Sequence, residues 1–409
     1  MRLSLLVIAA TCLAASGRVL RGKYVSVEVG SDVCNVTAFG AKGDGVHNDT
    51  AAIQAAFDSC GGAGGQVLLP AGGTYLAAAL HFTGNNTDFH IPLGATLLVS
   101  DDIQQWPNGS HVLSARGLSH VAITGGGTVQ GQGERWWRAM EQPGQKDIFR
   151  PHLVDMSHVT FALLQGVRFV DGPNHVLELG ADHAELDGIA VLAPPSTGDV
   201  PVHSHNTDAV DVHGSPFFIH HVNFTTGDDN VAVHANDTLV EDSYFGTGHG
   251  ASIGSLCGSY LTNITFRRIT FQGTTAGARI KSHPNCSGHV WNVTYEDLVM
   301  RDVLQTIQVN QYYFGTGPSS YLFENITFRN ITAVGAGAGD SGIGSDGGPT
   351  HVVNFDCDTG FDGKANCHNF LLDEVQHVDP QGDMYCHGAW GQTRNSSGLD
   401  SCLAPVPTL

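Results

Sequence analysis

Apolar and polar positions alternate in short bursts along most of this chain. From about Gly65 onward, β-rich runs of roughly three to six residues are separated by Gly, Asn and Asp. They include Gln66–Pro70, Ala95–Val99, Val121–Thr124, Val159–Phe161 and Val167–Val170. Further runs are His220–Phe224, Ile264–Phe266, Val293–Tyr295 and Ile326–Phe328. No long helical pattern interrupts them. One helical period stands ahead of them: Ile53, Ala56 and Phe57 recur within Ala51–Cys60, with Asn48 or Asp49 placed to cap the start. This predicts a short amphipathic helix covering one end of the structure, where core and unpaired strand edges would otherwise meet water.

The polar positions carry a second period. Four clusters stand out: Asn206-Thr207-Asp208, Gly227-Asp228-Asp229, Gly248-His249-Gly250 and Arg279-Ile280-Lys281. Asp208 and Asp228 are 20 residues apart, Asp228 and His249 are 21 apart, and Arg279 follows after 30 more. A strand–helix–strand unit takes about 30 residues or more, so a repeat near 20 is too short for one. It fits one coil of a parallel β-solenoid, in which each turn stacks on the last. A β-sandwich is the rival all-β reading, but its turn signals would come every 8–12 residues or so. The solenoid is preferred because the polar clusters share its period. Backbones one coil apart lie about 4.7–4.9 Å from each other, so the clusters would form one patch.

That patch would hold three carboxylates, an imidazole, a guanidinium and an ammonium. Crowded carboxylates cannot all ionise freely, and at least one pKa should rise. A raised acid beside ionised partners suits glycosidic hydrolysis, which needs a proton donor for the leaving oxygen and a base for water. A carboxylate separation of about 6.5–9.5 Å would leave room for that water and give inversion. Arg279 and Lys281, two apart on a strand, would share one face. Each cluster alone is an ordinary turn or a solvated strand face; their joint occurrence near one period is what carries the reading.

Charged residues are only 14% of the 409, and the net charge is −20. An acidic surface argues against nucleic acid and against anionic membranes as partners. An acidic polysaccharide would have to be held locally by Arg279 and Lys281, helped by the 22 histidines at mildly acidic pH. Arg2, the apolar run Leu3–Ala15 and the small residues to Gly17 read as a secretory signal over residues 1–17. The expected product is a secreted, extracellular monomer, residues 18–409, forming one solenoid domain with no linker inside it. Eight of the nine cysteines lie beyond the signal, and Cys34 with Cys60, and pairs among Cys357, Cys367, Cys386 and Cys402, suit disulfides by proximity. No Cys-x-x-Cys pair suggests zinc. Twelve Asn-x-Ser/Thr sequons occur, Asn292 among them, and those at Asn263 and Asn325 look like strands first. Residues 335–348 are half glycine and read as a loop.

The four motifs, unaltered and in this order, make the chain resemble the polygalacturonase family, family 28 of the glycoside hydrolases. Phe39–Gly45, Gly94–Trp106, Gly125–Thr128 with Gly131–Gly133, and Gly250–Ser255 agree with it. The resemblance runs from about Val33 to Tyr313 and is weaker beyond. It implies a right-handed parallel β-helix, no cofactor or metal, and a pectic polysaccharide substrate. By motif, Asp228 resembles the general acid, and Asp208 and Asp229 the pair that activates water. His249 resembles the residue that supports the acid's protonation or the neighbouring sugar, Arg279 and Lys281 the cations that hold the galacturonate carboxylate, and Asn206 a positioning residue. Tyr313, or else Tyr312, matches a functional tyrosine. Two positions depart from the common pattern: Asn230 stands where many relatives have cysteine, suggesting a missing disulfide, and Ala209 where glycine is usual, suggesting a different turn.

The implied activity is inverting hydrolysis of α-1,4-galacturonan, endo or exo. Rhamnogalacturonan or xylogalacturonan hydrolysis is the alternative within the family; retention of His249 and Lys281 favours the plain backbone. A calcium-dependent lyase and a non-catalytic glycan-binding solenoid are the readings from other classes.

Overall fold

The computed structural model describes residues 17–62, 64–104, 106–107, 109–195, 202–337, 351–359 and 366–405. The expected signal up to Ser16, Cys12 with it, and the glycine-rich loop from residue 338 lie outside them. The described chain winds into one parallel β-helix, as the 20-residue period predicts. Its coils are right-handed, the hand that parallel crossovers favour.

Three faces build each coil. On the front face, Val212 pairs with Val233, Val233 with Ile253, Ile253 with Ile280, and Ile280 with Val309. All of these are fully buried. Strand alternation therefore turns Asp211, His213, His234, Ser252, Arg279, Lys281 and Gln308 outward on the same face. On the second face, Phe266 pairs with Tyr295 and Tyr295 with Phe328. Their rings stack at 4.7 and 5.4 Å between centroids. On the third, Phe224 pairs with Phe245 and Phe245 with Phe271. Like side chains on successive rungs thus fill the interior as ladders.

The strands are longer than the three to six residues expected. Val154–Gln165, Tyr260–Gln272, Ser287–Arg301 and Ser320–Val334 have 12 to 15 residues each. They bend through corners, each corner being one residue in the left-handed region, and the pairing resumes on the far side. Asn263, Asn292 and Asn325 are three such residues, at φ 59°, 56° and 54°. Asparagine tolerates this conformation better than most residues, so these sequon asparagines are exposed corners, not strand interiors. The run His220–Phe224 also straddles a corner: one strand, Phe217–His220, ends there and the next, Asn223–Thr225, begins.

The predicted end helix is Thr50–Gly61, and it buries Ile53, Ala56, Phe57 and Cys60. Both expected capping residues stand at its start. Asp49 occupies the cap position, but its carboxylate accepts from the backbone of Lys42 (2.7 Å) and Gly43 (3.0 Å); Asn48 Oδ1 accepts from Thr50 N at 3.0 Å. Disulfides join Cys34–Cys60, Cys357–Cys367 and Cys386–Cys402, as proximity suggests. A fourth, Cys257–Cys286, ties adjacent coils beyond the front-face strand Ala251–Leu256. One element has no signal in the sequence pattern: an antiparallel hairpin of Arg18–Arg21 and Ser26–Val29. It lies on the second face, burying Val25, Val27 and Val29 against Ala122 and Leu163.

Candidate active site

The front face brings all four motifs together. Asp208 ends the turn before Val210–Gly214, Asp228 and Asp229 precede Val231–Ala235, and His249 precedes Ala251–Leu256. Arg279 and Lys281 lie inside Ala276–Ser282. Backbone bonds continue the register between these turns: Ala209 N donates to Asp229 O at 2.9 Å and Asn230 N to Gly250 O at 3.1 Å. Distant residues thereby become neighbours one rung apart.

Asp229 sits at the centre. Its carboxylate accepts from Lys281 Nζ (2.8 Å), Arg279 Nη1 (3.1 Å) and Ser252 Oγ (2.8 Å), and all four side chains are buried. Arg279 Nε also donates to Gln308 Oε1 at 2.7 Å, one coil further on. The ring of Tyr313 lies over both cations, 4.9 Å from Lys281 Nζ and 5.4 Å from the Arg279 guanidinium. Tyr312 interacts instead with Asp358, and burial with that contact pushes its hydroxyl up to about 12.

Asp228 is half-buried and faces His249, whose Nδ1 is 2.9 Å from Asp228 Oδ1. The adjacent Asp-Asp pair does not splay to opposite faces, because the bend after Gly227 takes residue 228 out of the strand. Asp228, Asp229 and His249 each offer an atom within 4.8 Å of the others. Glycine is required on both sides of His249. A Cβ on Gly250 (φ +83°) would lie 2.1 Å from Ala276 O, and one on Gly248 (φ +141°) 2.7 Å from the Asn230 amide.

Asn230, where cysteine was expected, is a polar clamp. Its amide donates to Phe224 O (3.2 Å) and Thr247 O (3.1 Å), and its oxygen accepts from Gly250 N (2.8 Å). It ties the Asp-Asp turn to the Gly-His-Gly turn without a disulfide. Ala209 is buried and leads directly into its strand. Asn206 is an exposed left-handed corner (φ 54°) whose Oδ1 accepts from the buried Arg150 at 2.8 Å. Arg150 also donates to the carbonyls of Pro173 and His205.

Several residues had no signal of their own in the sequence. His175 lies 3.5 Å from Asp208 Oδ1, and its Nδ1 is 3.2 Å from both Asp211 and Glu178. Glu178 reaches His213 at 3.0 Å. Next to them a groove of about 520 Å³ is lined by Arg116, Asp155, Glu178, Asp182 and His213. The alternation Val210-Asp211-Val212-His213 would have flagged two of these as outward-facing.

The charges differ across the cleft. Burial pushes the Asp208 carboxyl well above the usual range, and the neighbouring Asp228 charge adds to it. Burial also raises Asp228, but His249, by charge and hydrogen bond, and then Lys281 and Arg279 outweigh it and hold the group below the usual range. The carboxylates opposite His175 overcome its burial and raise it well above an ordinary histidine. The site thus contains a protonatable acid, ionised carboxylates and two cations within one cleft.

Residues 60–388 match the family model described as Glycosyl hydrolases family 28. A probable polygalacturonase of Arabidopsis thaliana is 30% identical over 310 residues, 71% of this chain and 64% of its own length. An endo-polygalacturonase of Pectobacterium carotovorum is 30% identical over 321 residues, 69% of this chain and 77% of its own. The chain spans just under two thirds of the length of the first plant relatives it matches. A hyperthermoactive exopolygalacturonase from Thermotoga maritima shares the fold, with TM-score 0.72 at 19% identity over 87% of this chain and 89% of that one. The family match extends over the front-face cluster and most of the coils on either side of it, and on that ground the chain belongs to family 28 of the glycosyl hydrolases.

Proposed function

We propose that this protein is a secreted polygalacturonase that hydrolyses α-1,4-galacturonosyl linkages of pectin with inversion, without a metal. The observation that carries the reading is the buried Asp229–Arg279–Lys281 cluster beneath Tyr313, set beside Asp228 and Asp208. Two cations at the floor of a carboxylate-rich cleft suit a substrate that carries one carboxylate per sugar. The relatives named polygalacturonase support the same substrate class. The leading residues 1–17 support export, and the exposed sequon corners Asn263, Asn292 and Asn325 would then be open to glycans.

In this reading Asp228 protonates the glycosidic oxygen, while Asp208 and Asp229 hold the attacking water between them and Asp229, the carboxylate paired with two cations, takes its proton. The leaving sugar gains the Asp228 proton, and the anomeric carbon gains the water oxygen on the opposite face. By themselves, His249, Lys281 and Arg279 hold Asp228 ionised. A galacturonate carboxylate paired with Arg279 and Lys281 would take over their field and add a negative charge of its own. Both effects raise Asp228, so the acid becomes competent when substrate arrives. His249 stays against it and orients the carboxyl.

Asp228→Asn should abolish release of reducing ends from polygalacturonate, with chelator having no effect on the wild-type rate. Unchanged turnover in the variant would remove the acid assignment. An unsaturated product absorbing in the ultraviolet would point to elimination instead. Early product sizing separates endo from exo action: a spread of oligomers or monomer alone.

A further inference from the structure

On the second face, beneath the N-terminal hairpin, three side chains meet in a way that ordinary hydrogen bonding does not satisfy. Asp187 and His220 are register partners on adjacent coils, and His221 follows at the corner in the left-handed region (φ 54°). His220 Nδ1 lies 2.9 Å from His221 Nδ1. Asp187 Oδ1 lies 3.2 Å from each of those nitrogens. Three acceptor-type atoms thus form a nearly equilateral triangle.

The tautomer of His220 is set from behind. Its Nε2 is 2.8 Å from Glu185 Oε1. Glu185 is fully buried, and its carboxylate also takes the backbone N–H groups of Lys23, Tyr24 and Val25. An ionised carboxylate only accepts, so His220 Nε2 must donate. If His220 is neutral, its Nδ1 is then a bare lone pair facing the Asp187 oxygen. If it is charged, its single Nδ1 proton is split between Asp187 and His221. The His221–Asp187 edge then sets lone pair against lone pair, unless His221 Nδ1 also carries a proton; in that case two N–H groups collide at 2.9 Å. With Asp187 ionised, every proton arrangement leaves at least one of the three edges unpaired.

We propose that Asp187, His220 and His221 bind a divalent transition-metal ion of the zinc class. A cation above the triangle draws on all three lone pairs at once. Zinc bonds of about 2.0–2.2 Å to nitrogen and oxygen put tetrahedral ligands a little over 3 Å apart, close to the edges seen here. Glu185 behind His220 is the carboxylate–histidine partner that such sites use to fix the ring and raise its basicity, and Gln165 Nε2 holds Asp187 Oδ2 at 3.0 Å in the same way. The His221 side chain is 56% exposed, which leaves the fourth position to water. Glu185 also grips the hairpin turn, and the Tyr24 ring packs edge-on to His220 at 5.5 Å. The ion would therefore staple the N-terminal hairpin to the coils. Among the described residues three other His/carboxylate groups, His152–His175–Glu178, His175–Asp208–Asp211 and Asp228–Asp229–His249, belong to the front face.

The test is zinc binding by the full chain, stripped with chelator, measured by equilibrium dialysis and by the visible spectrum of the cobalt(II) form. Wild type and His175→Ala should each bind one tight equivalent, with a tetrahedral cobalt spectrum. His221→Ala, a change at an exposed side chain, should weaken it at least as much as the 10–100-fold that loss of a second-shell partner costs. Asp187→Asn should do the same and serves if His221→Ala fails to fold. Hydrolysis by His221→Ala should be unchanged. Full-strength zinc binding in both triangle variants, loss of it in His175→Ala instead, or no binding by wild type would overturn the proposal.

Discussion

Asp229 is almost fully buried and holds two cations at once. Asp229→Asn keeps the shape and removes one negative charge from between Arg279 and Lys281. Their side chains are 2% and 5% exposed, so water cannot replace the lost partner. Removing one member of a buried ion pair costs about 3–5 kcal/mol, a large share of the 5–15 kcal/mol that holds a typical domain together. The variant should therefore unfold at a clearly lower urea midpoint. Asp228→Asn changes a half-buried carboxyl and should cost much less. Both variants should be inactive, which allows substrate binding to be compared without turnover. In Asp228→Asn the cations remain tied to Asp229; in Asp229→Asn that carboxylate no longer competes with the substrate for them. Trigalacturonate should bind Asp229→Asn more tightly and restore part of its lost stability, about 2.7 kcal/mol at 100 times the Kd. Calorimetry and urea titration with and without the trisaccharide measure both effects. Equal midpoints and equal affinities in the two variants would show that Asp229 is not the internal rival of the substrate carboxylate.

Three further outcomes follow from the same geometry. Asn230→Ala leaves the Gly250 N–H unpaired in the interior and takes one donor from each of Phe224 O and Thr247 O, which keep Gly246 N and Thr226 N; an unsatisfied buried group costs about 1–3 kcal/mol, so a loss of that size in urea titration is expected, with reduced activity as the His249 turn loosens. Asp208 has a raised pKa in the folded chain, so its contribution to stability is complete below its unfolded value of about 3.9 and is lost as pH rises through the folded value. Asp208→Asn should therefore be inactive yet more stable than wild type at pH 8, an advantage that vanishes at low pH; a constant difference across pH would contradict this. The alkaline limb of kcat should lie at higher pH than that of kcat/KM, because the first reports Asp228 with substrate bound and the second the free enzyme; coincident limbs would mean that substrate does not raise Asp228.

The coil repeat was legible in the chain because strand stacking imposes a period on polar and apolar positions alike. Spacings of 20 and 21 residues are enough to place Asp208, Asp228 and His249 in one patch. Residue chemistry then limited what the patch could do. The 30-residue gap to Arg279 was equally informative, since a longer coil still ends in register.

Corners were harder to read. Asn263-Ile264-Thr265-Phe266 has strand composition throughout, and only the backbone shows that its first residue turns the coil. Partnership was not legible at all. Nothing local to Asp229 says that it, rather than Asp228, takes both cations; nothing near Asn230 says that an amide replaces a covalent tie. The hairpin at Arg18–Val29 and the Asp187–His220–His221 triangle join residues that are far apart in the chain or back to back within it. Sequence fixes which groups exist and, through the stacking period, which coil each belongs to. Their distances, their burial and the direction of each pKa come from side chains meeting across coils, because field and desolvation depend on separations of a few ångströms that no periodicity records.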